Sequence, residues 1–250
     1  MRVLDLFSGI GGMSLGLERA GMKTVAFCEI EEFPRRVLAK HWPEVPCYDD
    51  VRTLTAEKLR ADGIDRIDVI TGGFPCQDIS LSGRQAGLGE TRSGLWSEIA
   101  RLVGELRPRF VIVENVSNLL SGPSERRGGW FGRVLGDMAE CGYDAEWESL
   151  PAGAVGAPHE RDRVWILAYP SQEWGLAKKI WRMDWPLLYQ AQRSKVANAA
   201  GGRFGWPSEP GVSRVANGVP NIVDRRGTLG NAVIPQIPEM IGRAIMEAAE

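Results

Sequence analysis

Val3-Leu4-Asp5-Leu6-Phe7-Ser8-Gly9-Ile10-Gly11-Gly12 runs an apolar, strand-like stretch into a glycine turn, and a helical pattern over 12–20 follows it. Glycine has no Cβ to hold a ligand off, so a strand, glycine turn and helix in this order let the backbone approach a nucleotide closely. Working outward, β-branched runs alternate with helical patterns through the first two-thirds of the chain. Strands are expected at 2–6, 23–28, 67–71, 109–113, 143–148 and 163–168. Helices are expected at 12–20, 32–41, 55–61, 94–106 and 131–141, with Pro34 tolerated in a first helical turn. The pattern predicts an α/β fold, a doubly wound and mostly parallel sheet, whose ligands bind where strands end and helices begin.

The chain has 250 residues, 44% hydrophobic and 25% charged, which is the globular average and room for one large domain or one medium domain with a small companion. No apolar run approaches the ~20 residues of a membrane span, and Met1-Arg2-Val3-Leu4-Asp5 enters strand-like sequence with no basic leader. A cytoplasmic protein is expected. Cys28, Cys47, Cys76 and Cys141 show no CxxC pairing, and His41 and His159 are the only histidines, so neither a metal site nor a Ser-His-Asp triad is expected. The net charge is −2, but residues 171–230 hold nine Lys or Arg against four Asp or Glu, leaving an acidic remainder. That segment also carries Trp174, Trp181, Trp185 and Trp206. Basic side chains among aromatics suit phosphates and bases, although a solvated loop region around a small aromatic core would read the same way. From about Tyr169 the pattern breaks into Pro, Gly, Trp and polar residues, as in a small loop-rich domain. After Arg226 a closing helix, with Pro235 and Pro238 near its start, is expected to pack back on the main sheet.

Four segments could carry chemistry. Glu29, just after the second strand, is placed to accept hydrogen bonds from a ribose, which suits either NAD or an adenosyl ligand without a pyrophosphate. The dinucleotide fingerprint wants a third glycine where this chain has Ser14, and a purely structural glycine turn stays open. Gly72-Gly73-Phe74-Pro75-Cys76-Gln77 puts Cys76 on a loop after a buried-looking strand, where a thiolate could attack an electron-poor ring. Phe110-Val111-Ile112-Val113-Glu114-Asn115-Val116 ends an apolar strand on a carboxylate that burial should keep protonated near neutral pH; a helix-capping Glu114-Asn115 pair is the alternative. In His159-Glu160-Arg161-Asp162-Arg163, period-two geometry puts both arginines on one face, able to hold a base oxygen and a phosphate, or else to form edge-strand salt bridges with Glu160 or Asp162.

Taken together and in this order, these segments resemble the DNA cytosine-5 methyltransferases over about three-quarters of the chain. Asp5 to Gly12 looks like that family's S-adenosylmethionine loop, Gly73-Phe74-Pro75-Cys76-Gln77 its Pro-Cys motif and Glu114-Asn115-Val116 its Glu-Asn-Val motif. Arg161-Asp162-Arg163 is similar to its Arg-x-Arg motif, and Gly230-Asn231-Ala232-Val233 to its closing Gly-Asn-x-Val motif. The resemblance implies a Rossmann-like S-adenosylmethionine-dependent fold, with a catalytic domain at 1–168, a target-recognition domain at 169–228 and a returning helix at 229–250. It implies cofactor contacts from Phe7, Ser8, Gly9, Ile10, Gly11, Gly12, Glu29, Ile30, Asp50, Val51, Pro75, Asn231 and Val233, with Asp50 meeting the adenine. Cys76, Glu114, Arg161 and Arg163 would be catalytic, and Gln77, Ser80, Ser82 and Arg92 would contact DNA.

The implied reaction moves a methyl group from S-adenosylmethionine, leaving S-adenosylhomocysteine, to C5 of a cytosine flipped out of duplex DNA, with no metal. A monomer on DNA is expected, in a bacterial or phage-infected cell, with a companion restriction endonuclease as a possible partner. His159 stands where the family often has Gln, the ninth family motif is not placed between Arg214 and Arg226, and a recognition region of about 60 residues is short. A short or weakly discriminating target follows. Competing readings are an RNA cytosine-5 methyltransferase, against which the absent Cys-Phe-Thr stretch argues, a non-catalytic DNA-binding relative, and an NAD-dependent oxidoreductase.

Overall fold

The computed structural model describes residues 1–74, 94–120, 129–155, 157, 161–173 and 232–249. The opening strand β1 (Arg2–Leu6) feeds the glycine turn and then α1 (Gly12–Arg19), as the opening stretch requires. Next come β2 (Lys23–Cys28), α2 (Glu32–His41), β3 (Cys47–Tyr48), α3 (Ala56–Ala61) and β4 (Val69–Gly72). They are followed by α4 (Gly94–Leu106), β5 (Phe110–Val116), α5 (Gly129–Glu140), β6 (Tyr143–Pro151), β7 (Asp162–Pro170) and α6 (Gln236–Ala248).

The strands form one seven-stranded sheet in the order β3-β2-β1-β4-β5-β7-β6. Pairings from β3 across to β5 are parallel, and β7 alone runs against both neighbours. The chain winds outward from β1 through β2 to β3, then returns to β4 on the other side of β1. The carboxyl ends of β1 and β4 therefore straddle the switch point at which such sheets bind ligands.

Alternation along β1 explains why both faces are covered. Leu4 and Leu6 join Ile70, Val111 and Val113 under α4 and α5, where Trp96, Ile99, Leu102 and Val134 are buried. Val3 joins Val69, Phe110, Ile112 and Trp165 on the opposite face, under Leu17 of α1 and Ile237, Ile241 and Ile245 of α6. Each such fully buried side chain contributes about 1.5–3 kcal/mol relative to exposure. The closing helix thus returns to the sheet as its composition implied. It can do so because α1 is smooth: a Cβ on Gly12 would lie 2.4 Å from the Val233 carbonyl oxygen, and one on Gly16 would lie 2.2 Å from that of Pro235.

Several boundaries differ from the expected ones. β5 continues through Val116, so Glu114 and Asn115 lie inside a strand and cap no helix. β7 (Asp162–Pro170) is longer than the 163–168 expected and lies between β5 and β6, so Arg163 is not on an edge strand; Arg161 stands just before it, and Glu160 lies outside the described residues. The two-residue β3 had no expected counterpart. Cys76, His159, Asn231 and residues 174–230 lie outside the described residues. No helix among the described residues is long and apolar enough to cross a membrane.

Candidate active site

The chain after β1 turns sharply. Phe7 has φ +53°, Gly9 +52° and Gly11 +84°. For a phenylalanine the left-handed conformation costs about 1–2 kcal/mol, a strain of the kind that collects at binding loops. Hydrogen bonds hold the turn: Ser8 Oγ donates to the Asp5 carbonyl at 2.6 Å, and the Gly11 amide donates to the Ser8 carbonyl at 2.9 Å. Glu29 reaches across from the end of β2, its Oε2 accepting from the Gly9 amide at 2.7 Å and its Oε1 from the Glu31 amide at 2.8 Å.

The three glycines do different work. A Cβ on Gly11 would lie 2.6 Å from the Trp42 ring, and Gly12 is filled from behind by Val233, so neither has room to spare. Among the described residues, nothing lies within 4 Å of the Gly9 Cβ position, so with respect to them the turn is open on that side. α1 begins without a side-chain bond from its N-cap residue Gly11 and without an acidic residue in its first turn, and of its first amides that of Ser14 is taken by the Asp5 carboxyl. Ile30, beside Glu29, is 62% exposed although large and apolar. Asp50 caps the short turn Val51–Thr53, and its carboxylate also binds the Arg52 guanidinium at 2.6 Å; these bonds hold its carboxyl below the usual range. Val51 beside it is buried.

The second cluster sits at the ends of β4, β5 and β7. Glu114 opposes Trp165 across the β5–β7 ladder, so Arg163, two residues from Trp165, shares its face. Arg163 Nε donates to Glu114 Oε1 at 2.9 Å. Burial raises the Glu114 carboxyl above its ordinary range even though Arg163 and Arg161 pull the other way. Arg161 does not reach Glu114 by a hydrogen bond; its Nη1 donates to the Ala232 carbonyl at 3.0 Å, tying the closing segment to the front of β7. Asn115 points to the other face, where its Nδ2 donates to the Phe74 carbonyl at 3.0 Å. The Cβ position of Gly73 lies 3.2 Å from Glu114 Oε2. The strand ends leading to Cys76 and carrying Glu114 are thus bound to one another.

Cys28, Cys47 and Cys141 are poor nucleophiles. Burial drives the Cys28 thiol to about 12 and raises those of Cys47 and Cys141. Cys76, Pro75, Gln77, Ser80, Ser82, Arg92 and Asn231 lie outside the described residues. Sequence reasoning missed Asp5, whose buried carboxylate accepts from Ser14 Oγ at 2.7 Å and Thr71 Oγ1 at 2.8 Å, and which binds α1 and β4 to β1. A lone carboxylate in an apolar strand was the available signal. Trp42, wedged against Gly11, had no signal in sequence.

The family model for C-5 cytosine-specific DNA methylases matches residues 1–209. The type II methyltransferase M2.BsuMI of Bacillus subtilis is 34% identical over 172 residues, covering 67% of this chain and 42% of its own length. M.HhaI of Haemophilus parahaemolyticus is also 34% identical, with 68% and 49% covered. Among solved structures, a prophage-encoded E. coli protein named as a DNA modification methyltransferase superposes with a TM-score of 0.58 at 31% identity, covering 69% of this chain and 47% of that one. The Dnmt2 methyltransferase of S. pombe, at 23% identity and a TM-score of 0.54, shares the fold. The chain spans about half the length of the relatives it matches. The chain belongs to the C-5 cytosine-specific DNA methylase family.

Proposed function

We propose that the protein transfers a methyl group from S-adenosylmethionine to C5 of a cytosine flipped out of a specific duplex DNA site, through a covalent bond from Cys76 to C6. The observation that carries this reading is the junction just described. Asn115 holds the Phe74 carbonyl at 3.0 Å, and Glu114 lies on the same strand end. Cys76 follows Phe74 by two residues, a reach of about 7 Å of extended chain. The described cysteines are driven away from thiolate, so Cys76 is the thiol left to act.

The donor site is supported by the space beside Gly9 among the described residues, the Glu29 carboxylate and the exposed Ile30. Phe7, Ser8, Gly9, Ile10, Gly11, Glu29, Ile30, Asp50 and Val51 would hold S-adenosylmethionine, with Pro75, Asn231 and Val233 closing over it. Gly12 supports this site from behind by admitting Val233. When bound, S-adenosylmethionine supplies an electrophilic methyl group.

The protein's residues make the cytosine able to take it. C5 is a weak nucleophile, so the Cys76 thiolate adds to C6, and the Glu114 carboxyl shares its proton with N3, which leaves C5 enamine-like. The raised proton affinity of Glu114 suits that donation. Arg163, already paired with Glu114, holds O2 of the base, and Arg161 braces the site from Ala232. After methylation C5 loses its proton to a base, and the ring expels the thiolate. A stacked cytosine cannot present C6 to a thiol, so the base leaves the duplex. Gln77, Ser80, Ser82 and Arg92 would meet DNA, the basic segment 169–228 would read the target, and the protein would act as a monomer on DNA.

Duplex DNA with 5-fluorocytosine tests the covalent step, because fluorine at C5 cannot leave as the proton does. With S-adenosylmethionine present, a complex that survives denaturation is expected from the wild type and none from Cys76→Ala. Equal trapping by the variant contradicts the mechanism, and trapping on RNA alone moves the substrate to RNA.

A further inference from the structure

We propose that Arg101 is a positioning residue for the cofactor, through which α4 holds the Asp50–Val51 turn where the adenine of S-adenosylmethionine would meet it. This rests on the function proposed above. The Arg101 guanidinium is fully engaged. Nη2 donates to the Val51 carbonyl at 3.1 Å and to the Leu54 carbonyl at 2.8 Å, across about fifty residues of chain. Nε donates to Glu98 Oε2 at 2.7 Å and Nη1 to Glu105 Oε1 at 2.6 Å, which fixes the fork on its own helix. Glu105 completes the clamp, its Oε2 accepting from the Ala56 amide at 2.9 Å. Three backbone groups between 51 and 56 are thus bound to one face of α4.

Among the described residues, no other side chain from a distant element hydrogen-bonds to this turn. The bonds of Asp50 go to Arg52 and Thr53 and set the turn's shape, not its place. The strand before it, β3, is two residues long and, among the described residues, pairs only with β2. Val51 and Leu54 are buried, so a carbonyl that lost Arg101 could not simply turn to water. The same helix begins at the other half of the site: the Trp96 ring packs 5.4 Å from that of Phe74, and its Nε1 donates to Asp137 at 2.7 Å. One rigid element therefore joins the strand end before Cys76 to the turn assigned to adenine.

Arg101→Met keeps the length of the stem and removes every donor, whereas Arg101→Lys keeps the charge without the fork. Each is compared with the wild type for S-adenosylhomocysteine and 5′-methylthioadenosine binding, for KM and kcat with S-adenosylmethionine on DNA, and for Tm. The expected result for Arg101→Met is about tenfold weaker binding of both ligands and a similar rise in KM, with kcat at saturation within about twofold, and partial recovery in Arg101→Lys. A folded Arg101→Met with unchanged affinity, or one that loses kcat with KM unmoved, overturns the proposal. If Arg101→Met does not fold, Arg101→Lys decides by the same criteria. A wild type that binds neither ligand overturns the function reading and this inference with it; a wild type that binds beside an indifferent variant overturns the inference alone.

Discussion

Asp5 and Glu114 are both buried carboxylates on neighbouring parts of one sheet, and their surroundings give them different tasks. Burial pushes the Asp5 carboxyl up to about 7, outweighing the hydrogen bonds from Ser14 and Thr71 that favour its charge. A carboxyl raised on folding binds more protons in the native state than in the unfolded one, so its contribution to stability is complete below the unfolded value of 3.8 and is lost as pH rises through about 7. Asp5→Asn should therefore remove a fall in Tm between about pH 4 and 7 that the wild type shows. Parallel pH profiles of the two proteins would sink this assignment. Glu114 is raised by burial as well, with Arg163 and Arg161 opposing the shift. Its position was legible in sequence because a carboxylate closes an apolar run. Period-two spacing put Arg161 and Arg163 on one face, but neither the ion pair of Arg163 with Glu114 nor the bond from Arg161 to Ala232 was legible, since each joins segments about fifty to seventy residues apart.

The elements repeat the lesson with different causes. β1 and β2 begin and end where the pattern placed them, because each is an apolar run bounded by a turn. β3 escaped notice because two residues between Pro46 and Asp49 carry no periodicity, and its existence depends on pairing with β2. β5 ran longer than expected because β7 pairs with it through Val116, a tertiary effect that lets polar residues stay in the ladder. The packing of α6 on α1 rests on missing side chains. Gly16→Ala would put a methyl group 2.2 Å from the Pro235 carbonyl and 2.6 Å from the Pro238 ring. A loss of about 1–3 kcal/mol in unfolding free energy is expected from such overpacking. Helix propensity alone would make the alanine stabilising by up to about 1 kcal/mol, so the sign of the change decides between them.

At the scale of the molecule, an acidic α/β body carries a basic, tryptophan-bearing segment whose residues 171–230 hold nine cationic against four anionic side chains. The body was legible because parallel sheets write themselves as alternating apolar strands and amphipathic helices. Target recognition was not, because it depends on where irregular loops meet base edges. If residues 169–228 read the target as proposed, a segment so short predicts methylation at similar rates on sites of six or more base pairs and on shorter ones, and a strict long site contradicts that. The most direct measurement is nucleoside mass spectrometry of DNA from a methylation-free bacterial host expressing the protein, beside the same host expressing Cys76→Ala. 5-Methylcytosine with the wild type alone is the predicted result. Its absence, from a folded protein that binds S-adenosylmethionine, would contradict the account.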